Sequence, residues 1–151
     1  NFNGLTEIIS GLNNNSVHRL RKHWESIPDP VMNVFNELAA ICDQQQANKN
    51  MREALLRAPP PCIPPLSMYL KDLTFIEDGN PNTIREMINV FKRRQLSKII
   101  LEIKQYQQTP YHLERVPWLY DVLTNKLFPE KVMSDDDMWE RSLVVEPRKK
   151  D

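Results

Sequence analysis

Apolar residues recur along this chain at helical spacing, with firm stops between the runs. Phe2, Leu5, Ile8, Ile9 and Leu12 predict an amphipathic first helix. It should end in Gly11-Leu12-Asn13-Asn14-Asn15, where side-chain amides compete with the backbone. Ser16 is placed to cap a second helix carrying Val17, Leu20, Trp24 and Ile27. The basic residues between them, Arg19, Arg21, Lys22 and His23, read as a solvated face. Asp29-Pro30 pairs a cap with a proline at the first helical position, and Val31, Val34, Phe35, Leu38 and Ile41 continue from it. Asp43 to Asn50 is polar and reads as a loop. Met51, Leu55 and Leu56 then place a short helix.

The rest of the pattern is organised around the stretch from Pro59 to Phe91. Pro59, Pro60, Pro61, Pro64 and Pro65 forbid helix, since each fixes its φ and lacks an amide donor. Helical spacing resumes at once. Leu66, Tyr69, Leu70, Leu73 and Ile76 fall on an apolar side, whereas Ser67, Lys71, Thr74 and Asp78 share a polar stripe about 60° wide. Gly79 is expected to end this helix and Asn80-Pro81 to turn the chain. Thr83 would cap a second arm, in which Ile84, Met87, Ile88 and Phe91 run on into Leu96, Ile99, Ile100, Ile103 and Tyr106 until Thr109-Pro110. That arm is one helix, or two joined near Lys92-Arg93-Arg94, and these three basic residues read as solvated. A short helix is expected around Leu119 to Lys126. Ser134 before Asp135, Asp136 and Asp137 opens a last helix with Met138, Trp139 and Leu143. No alternating apolar run of useful length appears, so the fold class is all-α, a multi-helix architecture with a helical hairpin at about 66–106.

Composition narrows the function. With 151 residues, 40% hydrophobic and 26% charged, the chain is long enough for one domain with a real core. Twenty basic and twenty acidic residues balance, so no global field recruits nucleic acid or a membrane surface. Cys42 and Cys62 supply neither a disulfide framework nor metal spacing and read as free thiols of a reducing cytosol. Phosphate loops, dinucleotide fingerprints, zinc-hydrolase pairs and nucleophile elbows are all missing from the sequence. His18, His23 and His112 lack ligand spacing. These observations argue against a hydrolase or transferase and call for no cofactor and no metal.

At the proline-entered hairpin a resemblance becomes specific. PPCIPPLSMYLKDLTFIEDGNPN is similar to the signature of Ras guanine-nucleotide exchange factors, the catalytic domain of the Son-of-sevenless class. NFNGLTEIISGLNNNSVHRLRKHWESIP, INVFKRRQLSKIILEIKQYQQTPYHL and the closing SLVVEPR follow the same family in the same order. The resemblance covers residues 1–151 as the C-terminal portion of that domain, so an N-terminal part of the same domain is expected. It implies a factor that promotes GDP release and GTP loading on a Ras-family GTPase of Ras, Rap or Ral type. The hairpin would act as a wedge opening the switch region, with no covalent chemistry. With no signal peptide, membrane-spanning run or lipidation motif in the sequence, the expectation is a cytoplasmic protein without direct membrane insertion, any membrane recruitment being left to modules outside this chain.

The resemblance assigns roles position by position. Thr74 matches the position that crowds the GTPase's metal site, and Asp78 the acid directed towards its phosphate-binding region. Asn13 matches an asparagine that contacts the GTPase. Thr6, Leu66 and Leu70 lie at or beside positions packing against the second switch. Lys71, on the polar stripe, is placed to meet an acidic GTPase surface. Two departures stand out. Thr74 is smaller than the bulky aliphatic of some relatives, and Pro65 stands where relatives often carry an aromatic. Read without the resemblance, Thr74 and Asp78 are ordinary exposed helix residues, Asn13 is a helix terminator, and Leu66 and Leu70 are core. A helical scaffold that binds a GTPase or another protein without catalysing exchange remains the alternative.

Overall fold

The computed structural model describes residues 1–126 and 133–148. The described part is all-α, apart from one two-stranded ribbon. The chain forms two compact units, Asn1–Ile8 with Glu37–Tyr111 and Ile9–Asn36 with His112–Asp151. The first helix, α1 (Phe2–Leu12), and α4 (Asp29–Ile41) each pass from one unit into the other.

The first unit holds the proline-entered stretch. Its core is Met51 and Leu55 of α5 (Gln45–Arg57), Cys62 of the proline segment, and Met68 and Tyr69 of α6 (Leu66–Gly79). Ile99, Ile103 and Tyr106 of α7 (Val90–Tyr106) and Phe2 pack against it. The amides of Phe2 and Asn3 both donate to the Ile63 carbonyl, at 2.9 and 3.3 Å, which ties the first residues to the proline segment. Pro65 caps α6 with an extended backbone and no side-chain hydrogen bond, since its ring carries no acceptor. The polar stretch from Asp43 to Asn50 is not simply a loop, since α5 begins within it. Gln46, Ala47 and Asn48 take left-handed φ of 49°, 56° and 60°, and regular right-handed helix follows them.

Between α6 and α7 the structure departs from the expected continuous arm. Thr83–Ile84 (β1) pairs antiparallel with Met87–Ile88 (β2), with Thr83 opposite Ile88 and Ile84 opposite Met87. Arg85 and Glu86 close the ribbon with positive φ at both positions, the handedness that a two-residue hairpin loop requires. Thr83 is therefore not a cap. That role falls to Asn89, whose side chain accepts from the Lys92 amide at 3.1 Å. Gly79 also differs from expectation, since no glycine among the described residues has positive φ. It stays in the helix, and the last turn is closed instead by Asn80, whose Nδ2 donates to the Ile76 carbonyl at 3.0 Å.

In the second unit the expected helix from Val17 to Ile27 is two short pieces, α2 (Asn15–His18) and α3 (Arg21–Glu25). The cap is Asn14, accepting from the Ser16 amide at 2.9 Å, while Ser16 itself is buried. The helix α8 (Pro117–Asp121) begins on a proline and runs into a π-helical turn, Val122–Lys126. The last helix, α9 (Asp135–Val145), starts as its sequence predicts. Ser134 and Asp137 bond reciprocally as a capping box, and three acids occupy the first turn. The ring of Trp24 lies 5.1 Å from that of Phe35.

The supposed solvated face of α2 and α3 is corrected at Arg19. Its Nη1 donates to the Ser142 carbonyl at 2.6 Å and to Ser142 Oγ at 3.2 Å, and its Nη2 donates to the Glu146 carbonyl at 2.8 Å. The guanidinium also lies 5.3 Å from the Trp139 ring. It closes the C-terminal end of α9, adding a donor to the Ser142 carbonyl, which also accepts from the Glu146 amide at 2.9 Å.

Candidate functional site

The residues singled out on α6 divide around its circumference by a simple rule. At 100° per residue, Met68, Tyr69, Asp72, Leu73 and Ile76 lie on one side, and all five are buried or half-buried. Leu66, Leu70, Lys71, Thr74 and Asp78 lie on the other, within an arc of about 140°, and all five are exposed. Leu66 and Leu70, which the periodicity alone puts on the inner side, are 53% and 58% exposed. Tyr69 and Met68 take the inner positions in their place. A core reading of Leu66 and Leu70 is thereby corrected.

Three braces hold α6 against its neighbours. Near its start, Tyr69, only 1% exposed, donates its hydroxyl to Glu102 of α7 at 2.8 Å. Burial first, then the neighbouring Tyr106 and Glu102, push the phenol far above its usual range, so it remains a neutral donor. In the middle, Asp72 accepts from Arg52 of α5 at 2.6 Å. At the end, the Lys92 ammonium reaches the Glu77 carboxylate at 2.7 Å, the Glu77 carbonyl at 3.0 Å and the Asn80 carbonyl at 2.8 Å. Lys92 is 1% exposed, so it is no part of a solvated face. The pairing of residue 69 with 102 and of 77–80 with 92 makes α6 and α7 antiparallel.

The outer face carries different chemistry along its length. Leu66 and Leu70 present apolar surface at the proline end. Lys71 lies 5.9 Å from the Phe75 ring on the same helix. The Thr74 hydroxyl donates back to the Leu70 carbonyl at 3.0 Å, so what it offers outward is a methyl group and an acceptor lone pair. The Asp78 carboxylate makes no hydrogen bond or ion pair with the described residues. Its neighbour Glu77 takes the ammonium, which leaves Asp78 as the bare acid at the tip.

The remaining candidates divide between the two units. Thr6 is half-buried, bonded to the Phe2 carbonyl at 2.9 Å. It lines a cavity of about 110 Å³ with Ser67, Met68 and Lys71 of α6, so the structure brings Thr6 and Lys71 to one opening. Cys42, on the same cavity, has its thiol pushed up by burial, which a Thr6 hydrogen bond partly offsets. Asn13 belongs to the second unit, exposed at the rim of a cavity of about 300 Å³ that includes Trp24, Met32 and Phe35. Among the described residues no cluster of three metal-ligating side chains occurs, and no helix is long and apolar enough to cross a membrane.

Sequence reasoning missed Asn89 and Lys92. A signal was present. Three basic residues at the third to fifth positions of a helix oppose that helix's own dipole, so at least one of them should be serving another partner.

The class so defined is an all-α module that presents one braced helix, apolar at its entry and acidic at its tip. The family model of the RasGEF domain matches residues 1–94, more than half of the chain, and the chain belongs to that family. It is 40% identical over 149 residues to "Ras-specific guanine nucleotide-releasing factor 2" of Danio rerio and 38% identical over 149 residues to "Ras-specific guanine nucleotide-releasing factor 1" of Homo sapiens. Those matches cover 98% of this chain and 12% of each relative. "Ras guanine nucleotide exchange factor J" of Dictyostelium discoideum is 40% identical over 151 residues, which is all of this chain and 18% of that protein. The chain thus spans less than a fifth of the length of these relatives.

Proposed function

We propose that this chain is the GTPase-engaging, C-terminal portion of a Ras exchange-factor domain, and that it promotes GDP release and GTP loading on a Ras-family GTPase. The observation that carries this reading is the outer face of α6. Leu66, Leu70, Lys71, Thr74 and Asp78 are all exposed on a helix braced at three levels, in a chain of the RasGEF family.

The chemistry needs no bond made or broken by the factor. A GTPase holds its nucleotide through a phosphate-cradling loop, a lysine and a magnesium ion, and its switch segments are ordered by phosphate and metal. A partner that binds the emptied, opened form better than the loaded form shifts the population by that difference in affinity. The apolar entry of α6 docks on a switch segment. Thr74, its donor already engaged within the helix, acts by bulk at the metal position. Asp78, anionic and unpaired, competes with phosphate for the same donors and cation. Thr6 and Lys71 add contacts beside the apolar end, and Asn13, on the second unit, is a GTPase contact of its own.

The test is the release of fluorescent GDP from Ras-, Rap- and Ral-type GTPases by the complete domain containing this chain. Acceleration in at least one case is the expected result, together with its abolition by Thr74→Glu plus Asp78→Lys at unchanged helical content. GTPase binding without acceleration would replace the proposal with a helical scaffold. Unchanged rates in the double variant would remove Thr74 and Asp78 from the mechanism.

A further inference from the structure

We infer that Lys92, with Asn89, is a positioning residue for exchange: a buried pin that fixes the tip of α6 so that Asp78, not Glu77, is the free acid. The inference rests on the exchange reading above and assigns the pin to residues that touch no GTPase.

The geometry is economical. A helix C-terminus carries carbonyls without partners and a partial negative charge. The Lys92 ammonium has three donors, and all three are used on that terminus: two on Glu77, at its carboxylate and its carbonyl, and one on the Asn80 carbonyl. Asn89 holds the next residues of the exit path. Its Nδ2 donates to the Pro81 carbonyl at 2.9 Å, its backbone amide donates to the Asn82 carbonyl at 2.9 Å, and its Oδ1 caps the helix on which Lys92 rides. Four points, Glu77, Asn80, Pro81 and Asn82, are therefore fastened by two side chains and one amide of the segment 89–92.

This arrangement distinguishes two adjacent acids. Glu77 and Asp78 differ by about 100° around the helix, and only Glu77 reaches the ammonium. With the pin in place the last turn has one orientation, and Asp78 stays on the same arc as Thr74. Without it, the last turn loses its counter-charge and two carbonyl partners. The turn then frays, and the acid and the threonine above it cease to be presented together. The exposed ribbon from Thr83 to Ile88 offers no substitute contact, since both its strands are exposed.

The experiment uses the complete domain with a GDP-loaded Ras-type GTPase and the variant Lys92→Met, which keeps the stem and removes the charge. Misplacing the tip is expected to lower the maximal release rate by about tenfold or more. The KM for the GTPase should stay within about twofold, because the Leu66–Leu70 end still docks. Hydrogen exchange should quicken at the amides of residues 77–79 and not at those of residues 68–72. Lys92→Arg should recover part of the rate. If Lys92→Met does not fold, Asn89→Ala is read instead, with a loss in the same direction. A wild-type maximal rate in the folded variant, or a rise in KM that accounts for the whole effect, overturns the inference. If the wild-type domain accelerates no GTPase, the exchange reading fails on its own. The pin is then judged by exchange at residues 77–79: quickening supports the positioning role, and no change overturns it.

Discussion

Both units close a helix end with a basic side chain borrowed from elsewhere in the chain, but the two closures are built differently. In the first unit a lysine 12 to 15 residues away inserts a compact charge beneath α6 and is itself buried. In the second, an arginine 123 to 127 residues away spreads its fork over α9, half-buried against Trp139. A point charge with three rotatable donors suits three oxygens converging on a dry point. A planar fork suits carbonyls spaced along a groove. The local closure orients one turn of helix. The distant one joins segments that otherwise have no covalent reason to meet. The two differ equally in the acid left over. Glu77 is consumed and Asp78 bared in the first, whereas in the second Glu146 is gathered in by the Lys22 amide and the His23 ring.

The sharpest way to break this comparison is to remove each charge while keeping its stem. Lys92→Met should cost about 3 kcal/mol, since two carbonyls lose their donor where the residue-92 side chain excludes water, although half-exposed Glu77 regains hydration. Arg19→Met should cost less, about 1–2 kcal/mol, because Arg19 is only half-buried and the Ser142 carbonyl it leaves keeps the Glu146 amide as a donor. Urea unfolding followed by circular dichroism measures both. Equal costs would mean that burial is not what separates the two closures.

The same two residues mark the limit of what the sequence made legible. The helices, the all-α class, the capping box at Ser134 and the polar stripe of α6 follow from local patterns, and the structure contains them. Lys92 and Arg19 were hidden because a charge next to other charges looks solvated. Only the tertiary partner, a helix end, distinguishes a pin from a surface residue. The ribbon was hidden for a related reason. Ile84, Met87 and Ile88 fit helical spacing as well as strand pairing, and Arg85-Glu86 lacks the Asn-Gly pair that signals the turn. Of the candidate site, the outer stripe could be read from spacing alone, but the exposure of Leu66 and Leu70 could not. Met68 and Tyr69 fill the core in their place.

Gly79 separates pattern from structure by the sign of one mutation. A glycine that ends a helix through a left-handed conformation resists replacement. Here Gly79 is helical, and a Cβ built on it meets nothing within 4 Å. Gly79→Ala should therefore stabilise the first unit, by about 0.5–1 kcal/mol, through the entropy of the unfolded chain. A loss of stability would mean that the lysine-and-asparagine closure of α6 is not the one the chain uses. The α9 end has no glycine to exchange, so this test belongs to the first unit alone.

The smallest effect sharpens the second closure. Desolvation pushes the Glu146 carboxyl up, but the Lys22 amide and then His23 outweigh it and hold its pKa below the ordinary 4.5. A carboxyl whose folded pKa lies below its unfolded value binds fewer protons when folded. It contributes stability that is fully present above pH 4.5 and is lost as pH falls through the lower, folded value. Wild type should therefore lose stability relative to Glu146→Gln across that acid window and nowhere above it. Unfolding followed by the fluorescence of Trp24 and Trp139 reports on the unit that contains the group. Parallel acid profiles for Glu146→Gln and wild type would show that Arg19 closes α9 without help from the acid beside it.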